Sequence, residues 1–275
     1  MILNRFLMIS IVKRNRYLIL RRLVQFSILV SFIGTNKWGW TFLVGNLSAA
    51  RVLDSFYLAD PYAVLQIFAS GFIVSSDLLV GAFIVLIFYA TIGGRAFCSW
   101  VCPLNIITDS AAWLRRKLGF NFSSDNLRIK RSIRYWVLLL GLVLSAILGL
   151  SVFEMVSPIG MLHRGLIFGF GMGWAIVISV FLFDLVVMKN GWCGHFCPLG
   201  GFYSLSGKYA LIEVKHKVEK CSDCMDCFKV CPEPQVLKIV TKLSGMIDAG
   251  ECTNCGRCVD VCADSALIFS LKNIK

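Results

Sequence analysis

The chain has 275 residues, of which 57% are hydrophobic and only 16% charged, and its mean hydropathy is +0.73. This composition is typical of a membrane protein with several spans and excludes an ordinary soluble protein of this length. The formal net charge of +12 could suggest nucleic-acid binding, but the tail after Met188 holds eleven Lys and Arg against nine Asp and Glu. The excess positive charge therefore belongs to the apolar part of the chain, where it sets topology and contacts lipid. We expect the lipid bilayer as a partner and no nucleic acid.

Four apolar stretches are long enough to cross about 30 Å of hydrocarbon, which takes roughly 20 helical residues. They run approximately over Leu23–Val44, Phe72–Ile92, Tyr135–Phe153 and Leu166–Met188. The sequence therefore predicts an α-helical membrane protein with four transmembrane helices. A basic N-terminus (residues 1–22) precedes the membrane domain (residues 23–204), and a separate domain (residues 205–275) follows it.

The distribution of Lys and Arg predicts the orientation of these spans. Six lie in residues 1–22, eight between the second and third spans, and eleven in the tail. The far end of the first span and the other two loops hold only Lys37, Arg51 and Arg164. The positive-inside rule then places both termini on the cytoplasmic side of a bacterial inner membrane. The pair Arg21-Arg22 also resembles a twin-arginine export signal, but we interpret it as a topology anchor because cleavage after it would remove the first span.

The tail contains the spacing C-x2-C-x2-C-x3-C twice, which is the spacing by which bacterial ferredoxins bind two [4Fe–4S] clusters. In that arrangement the fourth cysteine of each run ligates the other cluster. We therefore assign the ligands of the two clusters as Cys221, Cys224, Cys227 and Cys262, and as Cys252, Cys255, Cys258 and Cys231. Structural zinc and disulfides are the alternatives, but zinc sites space their pairs more widely and disulfides need an oxidising compartment. The tail is predicted to be an α+β ferredoxin-like domain.

The other four cysteines lie in two C-x3-C-P motifs, at residues 98–103 and 193–198, each just after a predicted span. The membrane domain is thus predicted to consist of two tandem helix-hairpin repeats. Thiols at i and i+4 of a helical turn suit two ligands of a metal or cluster. Redox chemistry or a further metal or cluster is the expected role, with disulfides or plain buried thiols as alternatives, for Cys98, Cys102, Cys193 and Cys197. His195, in the second motif, is expected at the surface or the membrane interface.

Four segments together resemble the NapH family of ferredoxin-type proteins. They are Phe97–Asn105, Gly191–Pro198, Cys224–Phe228 and Cys255–Cys262. The resemblance implies an electron-transfer component of a quinol dehydrogenase rather than a stand-alone enzyme. It would pass electrons from membrane quinol toward periplasmic nitrate reductase through a NapG-like ferredoxin-type subunit or a NapC-like cytochrome.

Two related families share this core. NosR-like regulators carry a large N-terminal flavin-bearing domain and CcoG/FixG-like accessory proteins usually continue past the ferredoxin, so we expect this chain to be nearer to NapH. The alternative function is a redox-maintenance or metal-maturation factor that uses cytoplasmic electrons and the C-x3-C-P thiols, and a redox-sensing regulator is the third. The sequence does not locate the quinol site, although four side chains could accept quinol protons: Asp77, Glu154, His163 and Asp184.

Overall fold

The computed structural model of the chain describes residues 15–119, 129–169, 171, 173–247 and 250–272. The predicted basic N-terminus is therefore described only from residue 15, and residues 120–128 of the predicted inner loop lie outside the described residues. Contacts divide the described chain into two compact units. The cysteine-rich unit comprises residues 15–26, 89–101 and 203–272, and the helical unit comprises residues 27–88 and 102–202.

The α-helices, in chain order, are α1 (Arg16–Trp38), α2 (Pro61–Ala69), α3 (Ser76–Ile92), α4 (Ala96–Trp100), α5 (Leu104–Lys117), α6 (Ile133–Leu148), α7 (Val152–Val156), α8 (Pro158–Phe168), α9 (Gly173–Leu182), α10 (Pro198–Ser206), α11 (Asp226–Val230) and α12 (Arg257–Val261). Two π-helical turns cover Phe183–Val187 and Trp192–Phe196, and short 3-10 turns cover Gly207–Tyr209, Val218–Lys220 and Pro234–Leu237. The strands are β1 (Leu43–Gly45), β2 (Ala49–Val52), β3 (Phe56–Ala59), β4 (Ile212–His216), β5 (Gly245–Met246) and β6 (Leu267–Leu271).

In the helical unit, a small antiparallel sheet and helix α2 follow α1, and neither was predicted from the sequence. Strands β1, β2 and β3 pair in chain order, with Ala50 opposite Leu58. Asp60 then caps α2, since its carboxylate accepts the N–H of Ala63 at 3.3 Å. From α2, the hydroxyl of buried Tyr62 donates to the carbonyl of Leu138 in α6 at 3.1 Å. This hydrogen bond links α2 to α6.

All four predicted spans extend past the observed helices, so their bounds were wrong. The second span begins at Phe72, before α3 begins at Ser76, and each of the other three continues past the end of a helix. Helix α1 stops before Gly39 (φ 68°), α6 stops before Gly149 (φ 61°) and α8 stops before Gly169 (φ 100°). Glycine adopts these positive φ angles without the steric penalty that other residues have, and it commonly ends helices in this way. As a result, the apolar stretch Leu166–Met188 is divided between α8 and α9 rather than forming one helix.

Of the helices in the described residues, α1 is long and apolar enough to cross a membrane by length and composition alone. Three apolar helices are shorter, namely Ser76–Ile92, Ile133–Leu148 and Gly173–Val187.

In the cysteine-rich unit, β4 lies between β5 and β6 in an antiparallel sheet, with Val214 opposite Phe269 and His216 opposite Gly245. The sheet packs on a core of apolar side chains and cysteines: Val214, Leu237, Val240, Ile247, Leu267, Cys227, Cys231 and Cys258. The first turn of α1 belongs to this unit, because the ring of Tyr17 packs edge-on against Phe269 with centroids 5.1 Å apart. The unit thus combines the α+β tail with residues 15–26 and 89–101, which the sequence analysis had placed in the N-terminus and the membrane domain.

Candidate metal centre

Four cysteines of the tail surround one cavity on the side of α11. Its lining includes the three closely spaced cysteines of the first run and the last cysteine of the second run: Cys221, Cys224, Cys227 and Cys262. The N–H of Ala266 donates to the sulfur of Cys262 at 3.3 Å. Hydrogen bonds of this kind to ligand sulfurs are one of the means by which proteins set the potential of an iron–sulfur cluster.

A second cavity has the reciprocal set of cysteines in its lining: Cys231, Cys252, Cys255 and Cys258. Each run therefore contributes three cysteines to one cavity and its last cysteine to the other. Four thiols around a mostly apolar cavity form a donor set that suits a [4Fe–4S] cluster, which is held by four thiolates.

The two runs also have the same backbone conformation around their middle cysteines. The residues on either side of Cys224, Asp223 and Met225, have φ angles of 57° and 60°. Those on either side of Cys255, Asn254 and Gly256, have φ angles of 48° and 73°. Such left-handed positions are uncommon for residues other than glycine. Their recurrence at equivalent places shows that both runs wrap around their cavities in the same way.

The second cavity is the more deeply enclosed of the two. Cys224 at the first cavity is exposed, whereas Cys231, Cys255 and Cys258 at the second are buried. Burial raises the pKa of Cys252 to about 12, although the nearby Arg95 guanidinium acts in the opposite direction. Burial likewise raises the pKa of Cys258 well above its usual value. Because ligand thiols must lose their protons when they bind metal, binding of a cluster at this cavity would release protons and depend on pH.

The first C-x3-C-P motif begins on α4 and is hydrogen-bonded to the loop of the second cavity. Cys98 lies within α4 and Cys102 follows its end, so the two cysteines are not on one regular helix. Three side chains of the segment Arg95–Trp100, which includes the start of the motif, donate hydrogen bonds to three backbone carbonyls of that loop. They are Arg95 to Glu251 at 2.9 Å, Ser99 to Thr253 at 2.7 Å and Trp100 to Asn254 at 3.0 Å.

Two contacts in the cysteine-rich unit hold this segment from other directions. Gln25 of α1 donates to the carbonyl of Ser99 at 3.1 Å. Gly94 lies so close to the end of α10 that an added Cβ would come within 2.2 Å of the carbonyl oxygen of Tyr203. A side chain at position 94 is therefore incompatible with the packing.

The second C-x3-C-P motif lies in the helical unit, where Cys193 belongs to the second π-helical turn and Cys197 follows it in an extended conformation. The carboxylate of Asp184 accepts the N–H of Trp192 at 3.0 Å. Arg134 donates to the carbonyl of Gly194 at 3.4 Å. His195 is buried, so its predicted position at a surface or interface was wrong. The reason is that this turn packs against α6.

The four candidate proton acceptors have different environments. Asp77 is exposed, and Glu154 is partly buried with its carboxylate accepting the hydroxyl of Ser48 at 2.5 Å. His163 is buried with its ring edge-on to Phe32, at 4.6 Å between centroids. Asp184 is fully buried, and one of its carboxylate oxygens accepts the backbone N–H of Trp192. No group of three or more His, Cys, Asp or Glu side chains arranged for a single metal ion occurs among the residues that the structure describes.

Comparison with known proteins gives two family matches. A 4Fe-4S dicluster domain matches residues 213–263, which contain both cysteine runs. A 4Fe-4S binding domain matches residues 77–121 and 166–218, and each of these segments contains one C-x3-C-P motif. No solved structure matches the chain.

The relatives extend over nearly the whole chain. The ferredoxin-type protein NapH of Haemophilus influenzae is 43% identical over 94% of this chain and 91% of its own length. NapH of Escherichia coli is 42% identical over the same shares. This chain belongs to the NapH family of ferredoxin-type proteins. It is accordingly an iron–sulfur protein of the electron-transfer type, as its resemblance to NapH predicted.

The NapH family also has relatives with a different name. The methylamine utilization ferredoxin-type protein MauN of Paracoccus denitrificans is 41% identical over 86% of this chain and 84% of its own length. The similarity to MauN was not foreseen from the sequence. Because the identities to NapH and MauN are nearly equal, family membership alone does not identify the pathway to which this chain delivers electrons.

Proposed function

We propose that this protein is a membrane-bound electron carrier of a quinol dehydrogenase, which passes electrons from the quinol pool toward periplasmic nitrate reductase. The observation that carries the proposal is the pair of cavities, each with four cysteines in its lining. Similarity to two NapH proteins supports nitrate reductase as the destination of the electrons. A NapG-like ferredoxin-type subunit or a NapC-like cytochrome is the proposed acceptor.

The two cavities would each hold one [4Fe–4S] cluster, with the ligand sets predicted from the sequence. The reciprocal lining of the cavities supports these sets, since the last cysteine of each run lies at the cavity of the other. Oxidation of one quinol to quinone releases two electrons and two protons. Two clusters that each accept one electron match the number of electrons, so the tail could hold both electrons from one quinol.

The proposed topology has four spans in an inner membrane, with both termini in the cytoplasm. Helices α3, α6 and α9 support it because they expose large apolar side chains, which a membrane would cover. These include Phe83, Phe88, Leu139, Leu140, Ile147, Ile178 and Leu182. The 17 residues of α3 span about 25 Å, which is near the lower limit for crossing the hydrocarbon core.

The C-x3-C-P cysteines are the proposed relay between the cytoplasmic clusters and a periplasmic acceptor. Some relay is needed because about 30 Å of hydrocarbon would separate them. The match of a 4Fe-4S binding domain to both motif segments supports a redox or metal role for Cys98, Cys102, Cys193 and Cys197.

The second candidate is an equivalent electron carrier in methylamine utilization, which the similarity to MauN favours. Both candidates have the same clusters and differ in the protein that accepts the electrons. The acceptor must therefore be tested separately from the clusters.

The test is reconstitution of the full chain in liposomes under anaerobic conditions with a menaquinol analogue. We expect electron paramagnetic resonance signals of reduced [4Fe–4S] clusters after quinol is added, and reduction of an added NapG-like or NapC-like protein. A Cys255→Ser variant, which lacks a ligand at the second cavity, is the control for signals from that cluster. If dithionite reduces the clusters but quinol does not, the quinol dehydrogenase proposal is wrong.

A further inference from the structure

The loop of the second cavity depends on a segment that lies far away in sequence. Glu251, Thr253 and Asn254 surround the ligand Cys252, and their carbonyls accept hydrogen bonds from the segment Arg95–Trp100. Ser99 and Arg95 are buried, with 2% and 1% exposure. Buried donors of this kind are costly to remove, because the carbonyls that they satisfy would remain without partners.

One of these donors also brings charge to the cavity. Arg95 forms an ion pair with Glu233 at 2.7 Å, and the two side chains are only 1% and 3% exposed. Glu233 itself belongs to the lining of the second cavity. The other carboxylate oxygen of Glu233 accepts a hydrogen bond from Gln235 at 2.8 Å, so the carboxylate is held on both sides.

The first cavity has an ion pair of a different kind. Lys229 and Asp226 also approach to 2.7 Å, but they are 70% and 47% exposed. Water and salt screen exposed charges, whereas buried charges act on their surroundings with little screening. The Lys229–Asp226 pair therefore serves as a natural control for the Arg95–Glu233 pair.

We propose that the segment Arg95–Trp100 positions the cluster of the second cavity and that the Arg95–Glu233 pair sets the reduction potential of that cluster. This inference rests on the proposed function, because it requires both clusters. Arg95 is a positioning residue, since it acts on the cluster through the loop and through its charge. The first C-x3-C-P segment then has a role in the tail that is independent of its two cysteines.

The sign of each effect follows from electrostatics. A cluster gains one negative charge on reduction, so a buried positive charge favours the reduced form and a buried negative charge opposes it. Loss of the Arg95 charge leaves Glu233 uncompensated and lowers the potential. Loss of the Glu233 charge leaves Arg95 uncompensated and raises it. Removal of both charges largely cancels these shifts.

The experiment is a redox titration of the full-length protein followed by electron paramagnetic resonance at pH 8. The variants are Arg95→Gln, Arg95→Lys, Glu233→Gln and the double variant Arg95→Gln/Glu233→Gln, with Lys229→Gln as the control. We expect a lower potential in Arg95→Gln, a higher one in Glu233→Gln, and values nearest to wild type in Arg95→Lys and the double variant. Only one of the two clusters should shift, and Lys229→Gln should shift neither.

A purely structural role gives a different result. Both single variants would then lose iron or shift in the same direction, and the double variant would be the worst. That outcome, or equal shifts in both clusters, overturns the inference and leaves the proposed function intact. If Arg95→Gln does not retain the second cluster, Glu233→Gln and Arg95→Lys decide. Glu233→Gln is expected to raise the potential of that cluster, whereas Arg95→Lys is expected to leave it near the wild-type value. A wild-type protein without [4Fe–4S] signals overturns the proposed function and this inference together.

Discussion

Asp184 is the candidate proton acceptor with the clearest structural role. One oxygen of its fully buried carboxylate accepts the N–H of Trp192, the residue before Cys193. The carboxylate thus fixes the first turn of the second C-x3-C-P motif. An asparagine in its place can still accept this hydrogen bond, whereas an alanine leaves the N–H without a partner.

We therefore expect Asp184→Asn to retain most quinol oxidation and Asp184→Ala to lose about 1–3 kcal/mol of stability, the cost of an unsatisfied buried group. Thermal denaturation in detergent measures the stability, and the liposome assay measures the oxidation. If Asp184 accepts protons from quinol instead, Asp184→Asn will abolish oxidation while its thermal stability stays near that of the wild type.

The last cysteine of each run provides the second test at single residues. Cys262 belongs to the second run but lies at the cavity of the first, and Cys231 has the reciprocal position. We expect Cys262→Ser to damage the cluster of the first cavity and Cys231→Ser that of the second. Each variant should lose roughly half of the iron, because four of the eight proposed ligands would belong to each cluster.

Iron analysis together with electron paramagnetic resonance distinguishes the two clusters, and each variant is the matched control of the other. Damage by Cys262→Ser to the cluster of the second cavity would show that the ligand assignment is reversed.

Among the structural elements, the short segment before α4 is packed closely against backbone atoms at Gly94. A Cβ at Gly94 would lie 2.2 Å from the carbonyl oxygen of Tyr203 and 2.3 Å from the Cα of Gly207. Both obstacles are backbone atoms, which cannot move as a side chain can. We expect Gly94→Ala to destabilise the protein by about 1–3 kcal/mol, which is typical of overpacking.

Gly171→Ala is the matched control, because nothing lies within 4 Å of its Cβ position and its φ is not in the left-handed region. Its effect should remain within about 0.5 kcal/mol. The melting temperatures of the two variants in detergent provide the comparison. Equal stability of Gly94→Ala and the wild type would contradict the close approach at this point.

The sequence predicted elements well where the determining interactions are local. Cysteine spacing fixes the geometry of a cluster-binding loop within a few residues, and the two runs do wrap around separate cavities. The helix ends were less predictable, because Gly39, Gly149 and Gly169 stand inside the predicted spans and end the helices there by their positive φ angles. The strands β1 to β3 were missed because each has only three or four residues.

Interactions between distant segments could not be predicted at all. Ser99 and Trp100 are ordinary residues of a motif, and nothing local indicates that they donate to the carbonyls of Thr253 and Asn254. Arg95 counted in the sequence as one of the positive charges that set topology. In the structure it is buried in an ion pair with Glu233. Charge counts along a sequence therefore do not separate a topology signal from a buried partner.

At the scale of the whole molecule, the proposed topology makes a prediction about both ends of the chain. Twenty-five of the 28 Lys and Arg residues lie in segments that the positive-inside rule places in the cytoplasm. A reporter that is active only in the periplasm should be silent when fused after Lys275 and active when fused near Gly160. A cytoplasmic reporter at the same two positions is the control and should show the opposite pattern. Activity of the periplasmic reporter after Lys275 would contradict the proposed orientation.

The final prediction concerns the four cysteines of the two C-x3-C-P motifs. A relay built from both repeats should behave as one functional unit. If the four cysteines bind one metal or cluster, a site with only two of them cannot hold it. Loss of either pair should then cost as much activity as loss of both, since groups that act as a unit are not additive. Independent buried thiols would instead give small and additive losses.

The comparison uses the double variants Cys98→Ser/Cys102→Ser and Cys193→Ser/Cys197→Ser and the quadruple variant. Quinol oxidation coupled to a NapG-like or NapC-like acceptor is measured for each, and membrane levels are checked so that misfolding is excluded. Dithionite reduction of the tail clusters is the internal control, and it should be unchanged because the tail has its own eight ligands. We expect both doubles to be as inactive as the quadruple variant. Near-normal rates in the doubles would show that the motifs are structural and that electrons cross the membrane by another route.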